Sequence, residues 1–381
     1  MAAEKQEKQE PIDSPTQVLD YACKPWRLSS QRVADLYHSG TAFWSKADLE
    51  DIERQLEQSF HLEVFTLRDL EGKQIQIKNP VFQVERPIWR PYVRYQDYWP
   101  LVLYEPETPE ELHKCSYIIG WRNTAGDGFQ HKIENWHELF EIRSQLWNTS
   151  ITCKSLKMEL SKLLFESQYL RTRKITKVIC FGLGDWVGGP HMEIYKSKRE
   201  ISFAQIAFGP ITQHVMAFTI AEEIRRYNPG VRLIAQDPAY RDCAVNFLQE
   251  RGFEVKGQFG AGAFVDVDDE SLVISASASA PIRQIVADIA KPAMFIGSFY
   301  DGGIVADDKR YVMFLLPQKT SKCVIYSRLI FRNSMPFLDA DSPRTMEMWE
   351  SYDRIDFPIS RMERELLDFG RVLKVSMFSR K

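Results

Sequence analysis

The sequence predicts an α/β fold: a mainly parallel sheet covered by helices on both faces, with N-terminal and C-terminal extensions. Two observations carry this reading. Apolar runs alternate with amphipathic helical patterns from Lys177 to Gly297, and such alternation builds parallel sheets through crossover helices. Within that region the run Val178-Ile179-Cys180-Phe181 empties into Gly182-Leu183-Gly184, as a buried strand meets a tight turn at the ligand-binding edge of an open sheet.

Residues 1 to about 14 are charged and polar, too poor in apolar side chains to offset the entropy of ordering, and read as a flexible tail. A helix follows at about 46 to 58, with Ser45 and Asp48 as its capping signature and Leu49, Ile52 and Leu56 at helical spacing. Between Lys78 and Pro106, repeated prolines exclude a helix, and aromatic rings crowd beside Arg86, Arg90 and Arg94. Interleaved aromatic and basic residues can stack on bases. The plainer reading is edge-strand structure whose rings cover the core, because Glu85, Asp97 and Glu105 dilute the charge. A helix at about 154 to 170 carries Leu156, Leu160, Leu163 and Leu164.

From Lys177 the pattern reads strand 177–182, helix 211–227, strand 231–235, helix 239–251, strand 253–257, strand 272–275, helix 281–290 and strand 293–297. Pro281 suits a first helical turn, and Ile282, Ile285, Val286 and Ile289 then form one apolar face. The runs Tyr311 to Leu316 and Cys323 to Phe331 look like further strands at the sheet edge. A last helix at about 361 to 374 has Ser360 and Glu363 as a capping box. The expected organisation is a tail at 1–14, an accessory region at 15–164, the sheet core at 165–335 and a helical extension at 336–381.

Hydrophobic residues make up 44% and charged residues 27% of the 381 positions, the balance of an ordinary globular protein. Lys and Arg number 49 against 52 Asp and Glu, so no global field marks the chain for nucleic acid or an anionic membrane. The six cysteines are dispersed without a C-x-x-C or a histidine pairing, which argues against a zinc ribbon, a redox motif or a disulfide framework. Neither a secretory leader nor a membrane span is legible, so the cytoplasm and the nucleus are the expected locations.

Gly182 and Gly184 permit a tight turn whose backbone N–H groups could cradle an anion. The arrangement is Rossmann-like, although the third glycine of a G-x-G-x-x-G pattern falls one place late, at Gly188. Asp237 ends "VRLIAQDP" and stands 53 residues beyond Gly184, where a ribose-binding acid would follow the second strand. The same Asp-Pro pair also reads as a helix N-cap with proline in the first turn, and one residue can serve both roles. His191-Met192-Glu193 resembles the H-x-E of zinc deaminases but lacks the P-C-x-x-C that completes the site. Cys180 and Cys243 read as core thiols. Ser275 to Ala280, "SASASA", are small enough to let backbone approach a ligand or a helix closely.

Taken in order, "VICFGLGDW", "QHVMAFTIAEEI", "VRLIAQDPAYRD", "LVISASAS" and "AMFIGS" resemble the segments of the sensitivity-to-red-light-reduced (SRR-like) domain over about residues 165 to 300. Gly182, Leu183, Gly184, Gln213, Asp237 and Pro238 match that family's pattern. The resemblance implies a regulatory protein, from a family linked to light and circadian signalling and to haem-related control. Where the family carries a Pro-His-Cys-like stretch this chain reads Ser275 to Pro281, and where it has Gly-Asn-Ser the chain reads Gly297-Ser298. The groups best suited to acid/base or nucleophilic work are thereby missing. The expected function is a non-catalytic intracellular regulatory or interaction protein with no catalytic or metal-binding residue. The alternative is a nucleotide- or S-adenosylmethionine-dependent enzyme on a methyltransferase-like sheet, with Gly182, Gly184 and Asp237 as the cofactor-binding residues. Its cofactor stays unassigned. A small nucleotide and other proteins are candidate partners, whereas membrane and nucleic acid are not expected.

Overall fold

Val178, Ile179, Cys180 and Phe181 are all buried, as an unbroken apolar run requires when both faces of a strand are covered. This strand, Lys177–Phe181 (β5), is flanked in parallel by Arg232–Gln236 (β6) and Ser271–Ser275 (β8). The computed structural model describes residues 24–103, 112–125, 133–188, 203–275, 278–299, 339–363 and 374–381. The expected tail, the segment around His191, the runs at 311–316 and 323–331 and most of the expected last helix lie outside them.

Eight further strands are described: Val64–Arg68 (β1), Gln74–Lys78 (β2), Trp89–Tyr95 (β3), Tyr117–Asn123 (β4), Phe253–Val255 (β7), Met294–Phe299 (β9), Tyr352–Asp356 (β10) and Lys374–Arg380 (β11). Seven strands form one sheet in the order β10-β11-β9-β8-β5-β6-β7. From β9 to β7 the neighbours are parallel, while β11 runs antiparallel to both β9 and β10. β1 pairs with β2 and β3 with β4 in two separate antiparallel ribbons.

Successive residues of β5 enter different hydrophobic clusters. Val178 and Cys180 pack with Phe140, Trp147, Leu156, Leu160, Ile211 and Phe247. Ile179 and Phe181 pack with Leu49, Ile52, Phe264, Ile285, Val286 and Phe378. The second cluster also takes Val33, Trp44 and Phe65, so the N-terminal residues share a core with the sheet.

Most local expectations hold to within a few residues. The Lys46–Glu57 helix begins where Ser45 Oγ accepts the Asp48 N–H at 3.1 Å. The helix expected at 154–170 is two, Ile151–Glu166 and Gln168–Thr172, divided at Ser167, which caps the second. Several expectations need correction. The stretch from Lys78 to Pro106, expected to hold no helix, contains the short helix Tyr98–Leu103, with Pro100 in its first turn, where a missing backbone donor costs nothing. The helix expected at 211–227 begins earlier and spans Phe203–Arg225, with Pro210 inside it. A proline removes a backbone donor and crowds the preceding turn, so pattern alone starts the helix after it. The helix expected from 239 spans Asp242–Glu250 with Arg241 at its N-cap, so Asp237 does not cap it. Lys374, expected to end a helix, begins β11, and the described part of 339–381 holds the Pro343–Glu350 helix, β10 and β11. Glu363, expected to cap its own helix, instead accepts the Ile151 and Thr152 N–H groups, each at 2.8 Å. The S-x-x-E pattern specifies the acceptor but not which helix end it meets.

Candidate functional site at the carboxyl ends of β5 and β6

Chain leaving β5 turns at once. Gly182 has φ +64° and Gly184 φ +85°, the left-handed region that side chains with a Cβ rarely occupy. The Gly182 N–H donates to the Gln236 carbonyl at 3.0 Å, which ties the turn to the end of β6. The Gly184 N–H donates to Asp237 Oδ2 at 2.8 Å, and Asp237 Oδ1 accepts the Ala239 N–H at 2.9 Å. Both carboxylate oxygens therefore hold backbone. Burial raises the Asp237 pKa above the ordinary carboxylate value; the Ala239 and Gly184 N–H groups oppose that shift, and the charge of Asp185 adds to it.

The glycines are required by protein contacts. A Cβ on Gly182 would stand 2.6 Å from Ala278 Cα, and one on Gly184 3.0 Å from Pro210 Cγ. Ala278 thus approaches the glycine turn itself, and the proline within the Phe203–Arg225 helix closes the other glycine. The Gly182 and Gly184 N–H groups are each taken by a protein acceptor, whereas Asp237, with one N–H on each oxygen, keeps further lone pairs. Gly182, Gly184 and Asp237 are brought together as the sequence indicates, but as a closed turn.

Several residues not singled out in the sequence surround the turn. Asp185 Oδ2 accepts the Gly188 N–H at 3.0 Å and stands 3.9 Å from Arg241 Nη1, and burial raises its pKa. Trp186 is fully buried, its ring 4.7 Å from that of His214. His214 lies on the Phe203–Arg225 helix with Nδ1 2.7 Å from the Pro210 carbonyl and Nε2 2.6 Å from the Tyr240 hydroxyl. A carbonyl only accepts, so Nδ1 carries the proton and Tyr240 donates to Nε2. Burial lowers the His214 pKa to about 4, which keeps the ring neutral. A neutral imidazole with both nitrogens engaged and no exposure cannot serve an outside substrate as acid or base. Cys180 is a buried thiol with its pKa raised by burial, and Cys243 is half-buried. Asp185 Oδ1, Trp186 Nε1 and Gln213 Oε1 are buried without a hydrogen-bond partner. The sequence signals for this shell are the Asp-Trp that directly follows Gly184, Gln213 in the family pattern and the two thiols already read as core.

Among the described residues no group of three or more His, Cys, Asp and Glu is placed to hold a metal, and no helix is long and apolar enough to cross a membrane.

A mainly parallel α/β sheet with a self-satisfied glycine turn at the end of its central strand defines the class. Within it, residues 156–302 match the SRR1 domain family model, so the chain carries an SRR1 domain. No curated protein and no solved structure matches the chain.

Proposed function

We propose that this chain is a non-catalytic regulatory or interaction protein of the cytoplasm, the nucleus or both, built on a Rossmann-like sheet with helices on both faces. One observation carries the reading: the Asp237 carboxylate holds the Gly184 and Ala239 N–H groups, so the Gly184 donor is taken, and the glycine faces are closed by Ala278 and Pro210. A ligand turn keeps such groups for the ligand. The light, circadian and haem links of the SRR-like family suit a protein that acts by contact. Calorimetry of the full chain with adenine nucleotides and S-adenosylmethionine tests it. The expected result is no heat. Saturable heat that Gly184→Val abolishes would replace this reading with the next one.

The second reading is a nucleotide- or S-adenosylmethionine-dependent enzyme. It is favoured by the parallel order β7-β6-β5-β8-β9, continued by an antiparallel β11 placed inside the edge strand β10. The unpartnered Asp185, Trp186 and Gln213 atoms beside the turn also favour it. On this reading Asp237 accepts from a ribose through the lone pairs that the Gly184 and Ala239 N–H groups leave over.

A further inference from the structure

The ribbon of β1 and β2 has two edges, and only one of them is closed. Its register pairs Val64 with Lys78, Thr66 with Gln76 and Arg68 with Gln74. Just beyond its ends the Asn79 N–H donates to the Glu63 carbonyl and the Asp69 N–H to the Lys73 carbonyl, each at 2.9 Å. Hydrogen-bonded pairs alternate along an antiparallel ladder, so the odd-numbered residues bond across the ribbon and the even-numbered ones turn their N–H and C=O groups away from it. On β1 that outward edge is met. The Gln55 side chain accepts the Thr66 N–H at 2.7 Å and donates to the Thr66 carbonyl at 2.9 Å, standing in for a further strand. On β2 the outward groups belong to Gln74, Gln76 and Lys78, which are exposed and whose backbone bonds to no other group among the described residues.

The side chains of β2 alternate as its backbone does. Ile75 and Ile77 stand opposite Leu67 and Phe65, which are buried in the core, yet are themselves only half-buried. The apolar side of the ribbon therefore stops unfinished at this edge. Lys73 and Lys78, at the two ends of the strand, are exposed and form no ion pair among the described residues, whereas nearby Arg68 is matched by Asp48 and Glu71 by Arg32 and Lys114. β2 itself holds no acidic residue, and Glu63 lies on the β1 side of Lys78 rather than on the open edge.

We propose that the outer edge of β2 receives an extended acidic segment of a partner protein as a third strand of the ribbon. An antiparallel segment makes two backbone hydrogen bonds at each of Gln74, Gln76 and Lys78. Its alternate apolar side chains complete the cover of Ile75 and Ile77, and a carboxylate at each end meets Lys73 or Lys78. Charge selects this occupant over a second copy of the chain. Two β2 edges laid antiparallel, Gln76 on Gln76, would set Lys78 opposite Gln74 of the other copy and beside its Lys73, at both ends of the junction. A parallel pairing would set each lysine beside its own double. Edge lysines deter such self-pairing, and the same charges attract a strand that carries carboxylates. The inference rests on the interaction-protein reading and gives it a surface and a class of partner.

Fluorescence anisotropy of the full chain with a labelled peptide of about ten residues, valine and threonine alternating between terminal glutamates, decides the matter. The expected result is saturable binding that weakens with salt. The threonine amides would face β2, since residues opposite Gln76 share its solvent side, so their N-methylation is expected to weaken binding about tenfold or more, while N-methylation of the valine amides leaves it unchanged. Gln76→Pro removes an N–H that the fold does not use and obstructs the edge; it is expected to melt near the wild type and to bind about tenfold more weakly or worse. Lys78→Glu is expected to weaken binding about fivefold with a shallower salt dependence, and it stays informative should Gln76→Pro fail to fold, because its side chain is exposed. Lys154→Ala, an exposed cation on a helix, is the unaffected control. Absence of saturable binding at low salt overturns the proposal. So does equal binding of the two methylated peptides, or of a peptide with lysines in place of the glutamates. A dimer in sedimentation that Gln76→Pro disperses would give the edge to a second copy instead. The glycine turn takes no part in these measurements, so nucleotide heat in the calorimetry above and failure of the peptide to bind are separate results.

Discussion

The Asp237 carboxylate holds the Gly184 N–H at 2.8 Å across 53 residues of chain, joining the turn after β5 to the turn after β6. Its second oxygen holds the Ala239 N–H at 2.9 Å. Asp237→Ala leaves two backbone donors without that acceptor and is expected to destabilise the fold by about 2–4 kcal/mol. Asp237→Asn keeps one acceptor oxygen but turns an NH2 group toward the other N–H, with an expected cost of about 1–3 kcal/mol. Urea denaturation of the three proteins measures both. A wild-type midpoint in the asparagine variant would mean that neither bond holds the turn.

Gly182 is separable from a merely left-handed glycine by comparison with Gly72. Both have positive φ, +64° and +83°, but a Cβ at Gly72 meets nothing within 4 Å whereas one at Gly182 meets Ala278 Cα at 2.6 Å. Gly72→Ala is expected to cost about 1 kcal/mol for the backbone alone, and Gly182→Ala about 2 kcal/mol or more, because Ala278 must also move. Equal losses in thermal or urea unfolding would mean that the approach of Ala278 is unimportant.

Glu53, on the Lys46–Glu57 helix, anchors the loop after β7 by accepting the N–H groups of Phe259, Ala261 and Gly262 at 2.9, 2.8 and 3.1 Å. Glu53→Ala is expected to cost about 2–4 kcal/mol and Glu53→Gln less, since one amide oxygen still accepts. Hydrogen exchange should quicken first at 257–263. Unchanged exchange there in Glu53→Ala would show that the loop is held by Gln236 and Tyr95, which also bond Gly260.

Asp97 supplies a pH signature. Burial, reinforced by the charge of Asp339, pushes its pKa from 3.8 up to about 7, although the Trp99 N–H donates to it at 3.0 Å. A raised carboxylate binds its proton more tightly folded than unfolded, so its contribution is full below about pH 4 and lost as pH rises toward about 7. Relative to Asp97→Asn, the wild type should lose on the order of 2–4 kcal/mol between those limits and run parallel above them. Asp339, itself raised to about 6, shares the slope. Parallel stability profiles across the whole range would contradict the assignment.

The sequence by itself determined the layered part of the molecule. The parallel strands were legible because burial on both faces demands unbroken apolar runs, as in Val178 to Phe181 and Leu272 to Ile274, and helices such as Lys46–Glu57 announce their own caps. The resemblance was legible too, since the short segments that carry it fall in order. The tertiary structure alone decided what the candidate residues do. Whether Gly184 offers its N–H to a ligand depends on Asp237, and whether Glu363 caps its own helix or the one at Ile151 depends on a contact spanning 212 residues. Insertion of β11 between β9 and β10, and the placing of Gly120 against Tyr92, likewise depend on pairing partners distant in the chain. Hydrophobic period is a local property and survives in one dimension. Hydrogen-bond partnership is short-ranged in space but unrestricted along the chain, so the same Asp-Pro or Gly-x-Gly reads alike whether its groups await a ligand or already hold each other.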